Sequence, residues 1–419
     1  MTDTMTAGDT KTLDQMLVPI DVSKYFHKAM IIGPKGQTLH DPFEIDIYQE
    51  GLDKLLSKMK EAKAKCKAKR IIFAMEPTSY YHQVLMEKLG KLGHEIQLIN
   101  PCMTARVRSL DYDHLKTDDI DLKVLGQAVQ LGKGKTFKAK AHNMIKLRTV
   151  TRQRIARTKY IKYLKIQIHQ HLDALWPGFS NRHERDKALV RNIWESQMAW
   201  AIMQICPNAG KVAKMRPNEL ISMFRKHHVR GIGPKKADMI IKHAQTAVTL
   251  SQPLSEHKFN LRQDLQLLHH LNSMVSSLEN RAVRMLPPEA EFLLSVKGMS
   301  PFYAAAFLAE IADIHNFRTP KQLIKYTGLN VSIKNSGLFK SKETHMTKFG
   351  NSHLRYAVIM IARNLARCHP DFKAHYEQFR KRGMKHNEAI GCVATKLLKI
   401  FFYLLMRGEN YSSLKFHNA

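Results

Sequence analysis

Residues 116–123 (KTDDIDLK) gather three carboxylates within four positions, in a chain with 36 acidic residues against 67 Lys and Arg. If Thr117 caps a helix, Asp118 and Asp121 lie one turn apart on one face, and Asp119 points elsewhere. The helix dipole favours carboxylates in that first turn. Two carboxylates on one face repel each other unless a cation joins them, so the segment predicts a cation site.

Two further acids end apolar runs, Asp21 in VPIDVSK and Glu76 in IIFAMEPTSYY. An acid at a strand end projects at the edge of a sheet, and Asp21 belongs to the first strand, near the middle of a mixed sheet. Each acid alone would be explained as a surface charge or a helix cap. Together with Asp118 and Asp121, they offer the oxygen ligands that hold one or two Mg²⁺ ions for phosphoryl transfer.

The hydrophobic pattern around these acids predicts an α/β domain. Short apolar runs bounded by turns alternate with segments of helical periodicity, in the order βββαβαβα. This order argues for a mixed sheet with helices packed on it. The predicted strands cover 15–22, 26–33, 37–46, 70–76 and 94–100, and the predicted helices cover 48–69, 79–93 and a segment from Thr117.

The charge balance points to a polyanionic partner. The net charge is +31, and between Leu122 and Leu172 thirteen Lys or Arg occur without one acid. Nucleic acid explains this best, and association with a ribosome or a membrane surface is the alternative. Residues 138–172 are predicted to form one long basic helix with Tyr160 and Tyr163 interleaved. Its candidate nucleic-acid contacts are Arg148, Arg152, Arg154 and Arg157.

The five cysteines are scattered and form no CxxC pair. This pattern indicates a reducing compartment and argues against a disulfide framework or a zinc site. The polar start and the lack of an obvious membrane span in the sequence predict a cytoplasmic protein.

A second long amphipathic helix is predicted over 258–285, and it could pair with the basic helix as an antiparallel coiled coil, within one chain or between chains. Two segments, 229–244 (VRGIGPKKADMIIKHA) and 295–311 (SVKGMSPFYAAAFLAEI), place a glycine-containing hairpin before a helix. In helix-hairpin-helix modules such a hairpin holds a DNA phosphate. Lys235 and Lys236 are candidates, although short glycine turns between helices are common.

The motifs IDVSK, FAMEPTSYYHQVL and NPCMTARVR…KTDDIDLKVLGQ resemble the DEDD, RuvC-like domain of insertion-sequence transposases of the one-ten class, relatives of pilin-gene inverting recombinases. The resemblance covers roughly residues 15–135 and places Asp21, Glu76, Asp118 and Asp121 on the four acidic positions. Asp119 lies where the family requires no acid. From about Leu293 to Asn410 the chain resembles the family's C-terminal transposase domain.

The resemblance implies a serine nucleophile in the loop after the GL element, and this is Ser336 in KNSGLF. By itself, Asn-Ser-Gly is also an ordinary turn, and Ser332, Ser341 and Thr347 are nearby competitors. The resemblance further implies guidance by a structured RNA. Basic residues that crowd the loop and the following helix are candidate phosphate contacts: Lys334, Lys340, Lys348 and Arg355.

The resulting fold prediction is an α/β ribonuclease-H-like (RuvC-like) domain, a mostly α-helical coiled-coil middle region and a helical C-terminal domain. The predicted boundaries are a disordered leader (1–14), the DEDD domain (15–135), the middle region (136–288), the transposase domain with its serine loop (289–410) and a tail (411–419).

The predicted function is Mg²⁺-dependent DNA transposition through a serine–DNA intermediate, by a homo-oligomer (dimer or tetramer) at the bacterial or archaeal nucleoid. The alternatives are a site-specific DNA invertase, a hydrolytic junction-resolving nuclease and, more distantly, a non-enzymatic nucleic-acid-binding protein.

Overall fold

The computed structural model describes most of the chain and divides it into two compact units, 1–141 and 142–419. The predicted leader lies almost wholly outside the described residues, and the predicted middle region and C-terminal domain fall almost entirely within the second unit. The described ranges are 14–66, 68–77, 81–111, 117–136, 142–180, 188–248, 254–331, 335–336, 339–340 and 346–412.

The first unit is built on a six-stranded sheet with the strand order β3-β2-β1-β4-β5-β6. β1 pairs in parallel with β4 and antiparallel with β2, and β4 pairs in parallel with β5. This places β1 near the middle of a mixed sheet, as the sequence predicted. The strands are β1 (Gln15–Val22), β2 (Phe26–Ile32), β3 (Thr38–Asp46), β4 (Arg70–Met75), β5 (Glu95–Leu98) and β6 (Lys135–Thr136).

Helices cover both faces of this sheet. On one face the core joins Met16 and Phe73 to helix residues such as Leu55 and Leu89, and on the other Leu17 packs with Leu122. Alternate residues of β1 thus serve two cores, which explains why its apolar run is almost unbroken. The helices are α1 (Gln49–Cys66), α2 (Tyr81–Lys91), α3 (Pro101–Asp111) and α4 (Asp118–Gln130).

The predicted elements of this unit are confirmed apart from small shifts at their ends. Thr117 caps α4, since its side chain accepts a hydrogen bond from the backbone N–H of Ile120 at 3.3 Å. Helix α3 and the short strand β6 were not predicted. Residues 101–111 (PCMTARVRSLD) mix polar and apolar residues with only weak helical periodicity, so their sequence pattern did not predict the helix. In the structure this helix packs against α4.

The second unit is almost wholly helical. It begins with α5 (His142–Leu175), which runs beside α10 (Ser255–Arg284). Arg154 pairs with Glu279, and His171 Nδ1 lies 3.1 Å from His257 Nδ1, so the two helices are antiparallel within one chain. Coiled-coil packing itself stays a prediction. Between them come α6 (Gln197–Ile205), α7 (Ala209–Val212), α8 (Pro217–Lys226) and α9 (Pro234–Thr246).

Helices α6 to α9 form an accessory bundle with one end of the α5–α10 pair. Its core includes the fully buried rings of Trp176, Phe179 and Phe224 and the side chains of Ile202 and Leu265. The bundle therefore has a hydrophobic core of its own.

The remainder of the unit packs around α16. The helices are α11 (Ala290–Leu294), α12 (Pro301–Ile311), α13 (Pro320–Thr327), α14 (Ser352–Cys368), α15 (Pro370–Lys381) and α16 (His386–Arg407), and the short strands are β7 (Asn335–Ser336) and β8 (Phe339–Lys340). Within the described part of the chain, α16 is the one helix long and apolar enough to cross a membrane, but 61% of its most apolar window is buried. Leu397 and Phe401 lie in the core, which accounts for this composition.

Candidate functional site

Three of the four predicted acids line one cavity of about 220 Å³ in the first unit: Asp21, Glu76 and Asp121. The parallel register of β1 and β4 pairs Ile20 with Met75, so the next residues, Asp21 and Glu76, emerge side by side at the same edge of the sheet. Asp121 enters from the first turn of α4, which packs on β1.

Helix α3 supplies the polar partners of these acids. The Thr104 hydroxyl donates a hydrogen bond to the Glu76 carboxylate, and the Arg108 guanidinium forms an ion pair with Asp121. Thr104 is buried, and the side chains of Arg108 and Asp121 are each 19% exposed. Sequence reasoning missed both residues. Their i, i+4 spacing after a predicted strand was the available signal, because it places them on one helix face.

Asp118 and Asp119 do not line the cavity. The Lys28 ammonium lies 2.7 Å from Asp119 and 4.0 Å from Asp118, and both carboxylates are more than half exposed. The hydrogen bond to Asp119 raises the pKa of Lys28. The first turn of α4 therefore sends Asp121 into the cavity and leaves Asp118 beside a lysine, although the two acids are one turn apart.

Asp21, Glu76 and Asp121 have the carboxylate oxygens that divalent cations such as Mg²⁺ prefer as ligands, and all three line the same cavity. In the described ranges, no group of three such ligands lies within metal-binding distance as the side chains stand. Arg108 supplies a positive charge beside Asp121, and its buried Nε has no hydrogen-bond partner among the described residues. The contact involves one oxygen of the Asp121 carboxylate, Oδ1.

Ser336 lies in a small hairpin of the second unit. Asn335 pairs with Lys340 and Ser336 with Phe339, in antiparallel register. The side chains of Ser336 and Lys340, and all of Lys334, Ser332 and Ser341, lie outside the described residues. The other competitor, Thr347, donates a hydrogen bond to the Asn330 side chain at 2.8 Å and so holds the loop together.

Arg355, a predicted phosphate contact, also has a role inside the protein, and the phosphate contact stays a prediction. One nitrogen of its guanidinium donates hydrogen bonds to the carbonyl oxygens of Thr327, at 2.9 Å, and Lys348, at 3.0 Å. Burial lowers the pKa of Arg355. It joins the two ends of the serine loop, which we define as residues 328–350. Lys348 is exposed, so its predicted phosphate contact stays a prediction.

The basic helix also contains arginines that are used internally. Arg152 binds Glu310 through two hydrogen bonds, Arg148 donates to the Ala309 carbonyl and Arg154 binds Glu279. These guanidinium groups bind the protein, and the predicted nucleic-acid contacts at these three positions stay predictions. Arg157 is partly exposed and remains a candidate.

An exposed basic surface occurs instead on the accessory bundle, between α8 and α9. No acid lies between Glu219 and Asp238, and Gly231 adopts a left-handed φ of 81° with open space beside it. Lys236 donates to the Gly231 carbonyl at 3.0 Å. We call this surface the basic hairpin, and its exposed members are Arg225, Lys226, His227, His228, Arg230, Lys235 and Lys236.

The second predicted hairpin is closed by packing. Gly298 has a φ of 90°, and a Cβ placed there would lie 2.7 Å from Cys368 Sγ. Asn364 donates a hydrogen bond to the Gly298 carbonyl at 2.8 Å. This hairpin is packed on α14, whereas the basic hairpin is open to solvent.

Two transposase family models match this chain. A DEDD transposase model of the IS110 type matches residues 18–177, and a model of the IS116/IS110/IS902 transposase family matches residues 290–377. Together they cover more than half of the chain. Residues 178–289, which include the accessory helices, lie outside both models.

Two curated relatives agree with these matches. The "Insertion element IS110 uncharacterized 43.6 kDa protein" of Streptomyces coelicolor is 29% identical over 126 residues, 30% of this chain and 31% of that protein. The "Probable family 20 transposase" of Pseudomonas aeruginosa is 28% identical over 167 residues, 39% of this chain and 48% of that protein. The aligned part thus spans less than half the length of either relative. Since a DEDD transposase model of the IS110 type matches residues 18–177 and a model of the IS116/IS110/IS902 family matches residues 290–377, the chain belongs to the IS110 family of transposases.

Proposed function

We propose that the protein is a DNA recombinase that cuts and rejoins the ends of an insertion sequence. The observation that carries this proposal is the cavity lined by Asp21, Glu76 and Asp121 within the part of the chain that the DEDD transposase model matches. Carboxylates that converge at the edge of a sheet can hold the cations that neutralise the negative charge building up on phosphate oxygens during phosphoryl transfer.

A divalent cation, which we propose to be Mg²⁺, is the cofactor that this domain implies. Asp21, Glu76 and Asp121 would hold one or two ions, which would neutralise charge on the phosphate. Asp118 is the fourth acid of the family pattern, and it would join only by leaving Lys28. In this chain Thr104 orients Glu76 through a hydrogen bond, and Arg108 balances the charge of Asp121.

Ser336 is the proposed nucleophile. Its hydroxyl oxygen would form a bond to a DNA phosphorus as the bond to one DNA oxygen breaks, and the departing oxygen would take up a proton. The phosphoserine ester that results keeps one phosphodiester bond for each one broken, so rejoining requires no external energy source. The support is the family match at residues 290–377 and the position of Ser336 after the GL element.

The proposed nucleic-acid surface combines the basic hairpin with the exposed side of α5. On α5, Tyr160 and Tyr163 are 60% and 63% exposed, and Lys159 and Lys162 are exposed beside them. Cations and aromatic rings on one helix face suit backbone contact and base stacking. DNA is the first partner, and a structured guide RNA is the second. Sequencing RNA that copurifies with the protein from cells carrying its native flanking DNA tests the guide.

The whole proposal is tested with a covalent-adduct assay. The chain is expressed with its flanking DNA, and the purified complex is mixed with end-labelled DNA and Mg²⁺ before a denaturing gel. We expect a protein-linked DNA band that is lost in Ser336→Ala, Asp21→Asn and Asp121→Asn. The matched control is Asp119→Asn, which removes an acid from the same turn but outside the cavity and should keep the band.

Two results would overturn parts of the proposal. Cleavage that survives Ser336→Ala without any adduct would make the protein a hydrolytic nuclease and leave the serine as a turn residue. Binding without cleavage, unchanged by Mg²⁺ and by the cavity variants, would leave a nucleic-acid-binding protein.

A further inference from the structure

Glu310 on α12 is a buried charge in the second unit. Its side chain is 2% exposed and accepts hydrogen bonds from Arg152 Nε at 2.7 Å and Arg152 Nη2 at 2.9 Å. Burial acts to raise the pKa of Glu310, but the hydrogen bond and charge of Arg152, helped by Asn351 and Arg148, outweigh it and hold the pKa below its ordinary value. Glu310 is therefore ionised at neutral pH.

The same carboxylate holds the residue at which the serine loop ends. Asn351 donates a hydrogen bond from its amide to Glu310 at 2.7 Å. The other atom of that amide, Oδ1, caps α14 by accepting from His353 N and Leu354 N, each at 3.0 Å. The backbone N–H of Asn351 donates to the Tyr326 carbonyl at 2.7 Å, near the end of α13. Asn351 thus links Glu310 to both flanks of the loop, to α14 through its side chain and to α13 through its backbone.

The two ends of the serine loop are in close contact. A Cβ at Gly350 would lie 2.6 Å from the backbone nitrogen of Gly328, and a Cβ at Gly328 would lie 2.8 Å from the Phe349 carbonyl. The hydrogen bonds from Arg355 to Thr327 and Lys348 close the same place. Because these two ends are in contact, whatever orients this base fixes the positions at which the loop leaves α13 and enters α14.

Two segments of the chain therefore meet at one carboxylate. Arg152 is contributed by α5, within the part that the DEDD transposase model matches, whereas Glu310 and Asn351 lie in the part that the second model matches. Asn351 needs an acceptor for its amide N–H group and Arg152 needs a counter-charge. Only a carboxylate at position 310 supplies both at once.

We propose that Glu310 is a positioning residue that orients the serine loop through Asn351 and fixes it to α5 through Arg152. The inference rests on the proposed role of Ser336 for its catalytic consequence. The orientation of the loop itself does not depend on that role and is measured separately.

The test compares two variants of the full chain. Glu310→Leu combined with Arg152→Met removes both charges of the main ion pair together. Arg148, 3.9 Å from Glu310, is 31% exposed and keeps its hydrogen bond to the Ala309 carbonyl, so the fold should be retained. Asn351→Ser keeps an oxygen that can cap α14 but removes the amide donor that reaches Glu310. The matched control is Lys373→Met with Glu377→Leu, which removes an exposed pair on α15 whose charges are 4.0 Å apart.

Three measurements are made on each variant: the melting temperature, the rate of trypsin cleavage within residues 328–350 by mass spectrometry, and the rate of adduct formation at saturating DNA. We expect the Glu310→Leu/Arg152→Met and Asn351→Ser variants to melt near the temperature of the parent protein. Trypsin should cut their serine loop faster than that of the parent, while cleavage at sites elsewhere stays unchanged. Both should form adduct about 100-fold more slowly, because a small displacement of a reacting group has effects of that size. DNA affinity should be unchanged in Asn351→Ser, which removes no charge.

Unchanged loop cleavage in both variants would overturn the proposal. So would adduct formation at the parent rate despite a loosened loop. If the parent protein forms no adduct at all, the proposed recombinase chemistry fails, while the trypsin measurement still decides whether Glu310 holds the loop.

Discussion

The basic hairpin yields a quantitative prediction on salt dependence. Arg230 and Lys235 are both exposed and lie in the acid-free stretch between Glu219 and Asp238. Each phosphate contact releases condensed counterions, so replacing both residues with Gln should reduce the slope of log affinity against log salt by about 1.8. Between about 50 mM and about 200 mM salt, that change in slope amounts to roughly a tenfold change in relative affinity. The variant's deficit should therefore be about ten times larger at the lower salt.

The assay is fluorescence anisotropy of a labelled DNA duplex titrated with protein at several salt concentrations. The control variant is Lys69→Gln with Lys91→Gln. It removes the same number of charges, but from exposed lysines that already pair with Asp14 at 2.9 Å and Glu87 at 2.6 Å. Its slope should change by less than half as much. Equal slopes in the two variants would refute the reasoning, because net charge rather than the hairpin would then govern binding.

Three further predictions concern stability and assembly. Thr117→Ala removes the cap on α4 and should lower the unfolding free energy by about 1 kcal/mol, measured by urea denaturation; no change would mean that the bond to Ile120 contributes nothing. Burial lowers the pKa of His369 from 6.5 in the folded state, so the unfolded state binds a proton more readily and stability should fall as pH drops below 6.5. His369→Phe should reduce this fall, measured as the urea midpoint at each pH. A pH profile identical to that of the parent protein would contradict the prediction. If sites are shared between protomers, mixing Asp21→Ala with Ser336→Ala protein should restore strand exchange, whereas no rescue at matched concentrations argues for sites within one protomer.

The order of elements in the first unit and the positions of its strand-end acids could be predicted from the sequence. An apolar run that ends abruptly in an acid predicts a buried strand whose last side chain reaches the edge of the sheet, and Asp21 and Glu76 do lie at one edge. The cap at Thr117 followed from the same local rules, since a helix start depends on residues within one turn. The two long helices were likewise visible from their periodicity.

The partner of each charged side chain depends instead on tertiary packing. Spacing placed Asp118 and Asp121 on one helix face. In the folded unit, however, Asp118 lies beside Lys28, whereas Asp121 lines the cavity. Tertiary packing likewise pairs Arg152 with a carboxylate 158 positions away in the sequence. Local sequence sets the direction of a side chain, whereas the group it meets comes from a distant part of the chain, and no local pattern carries that information.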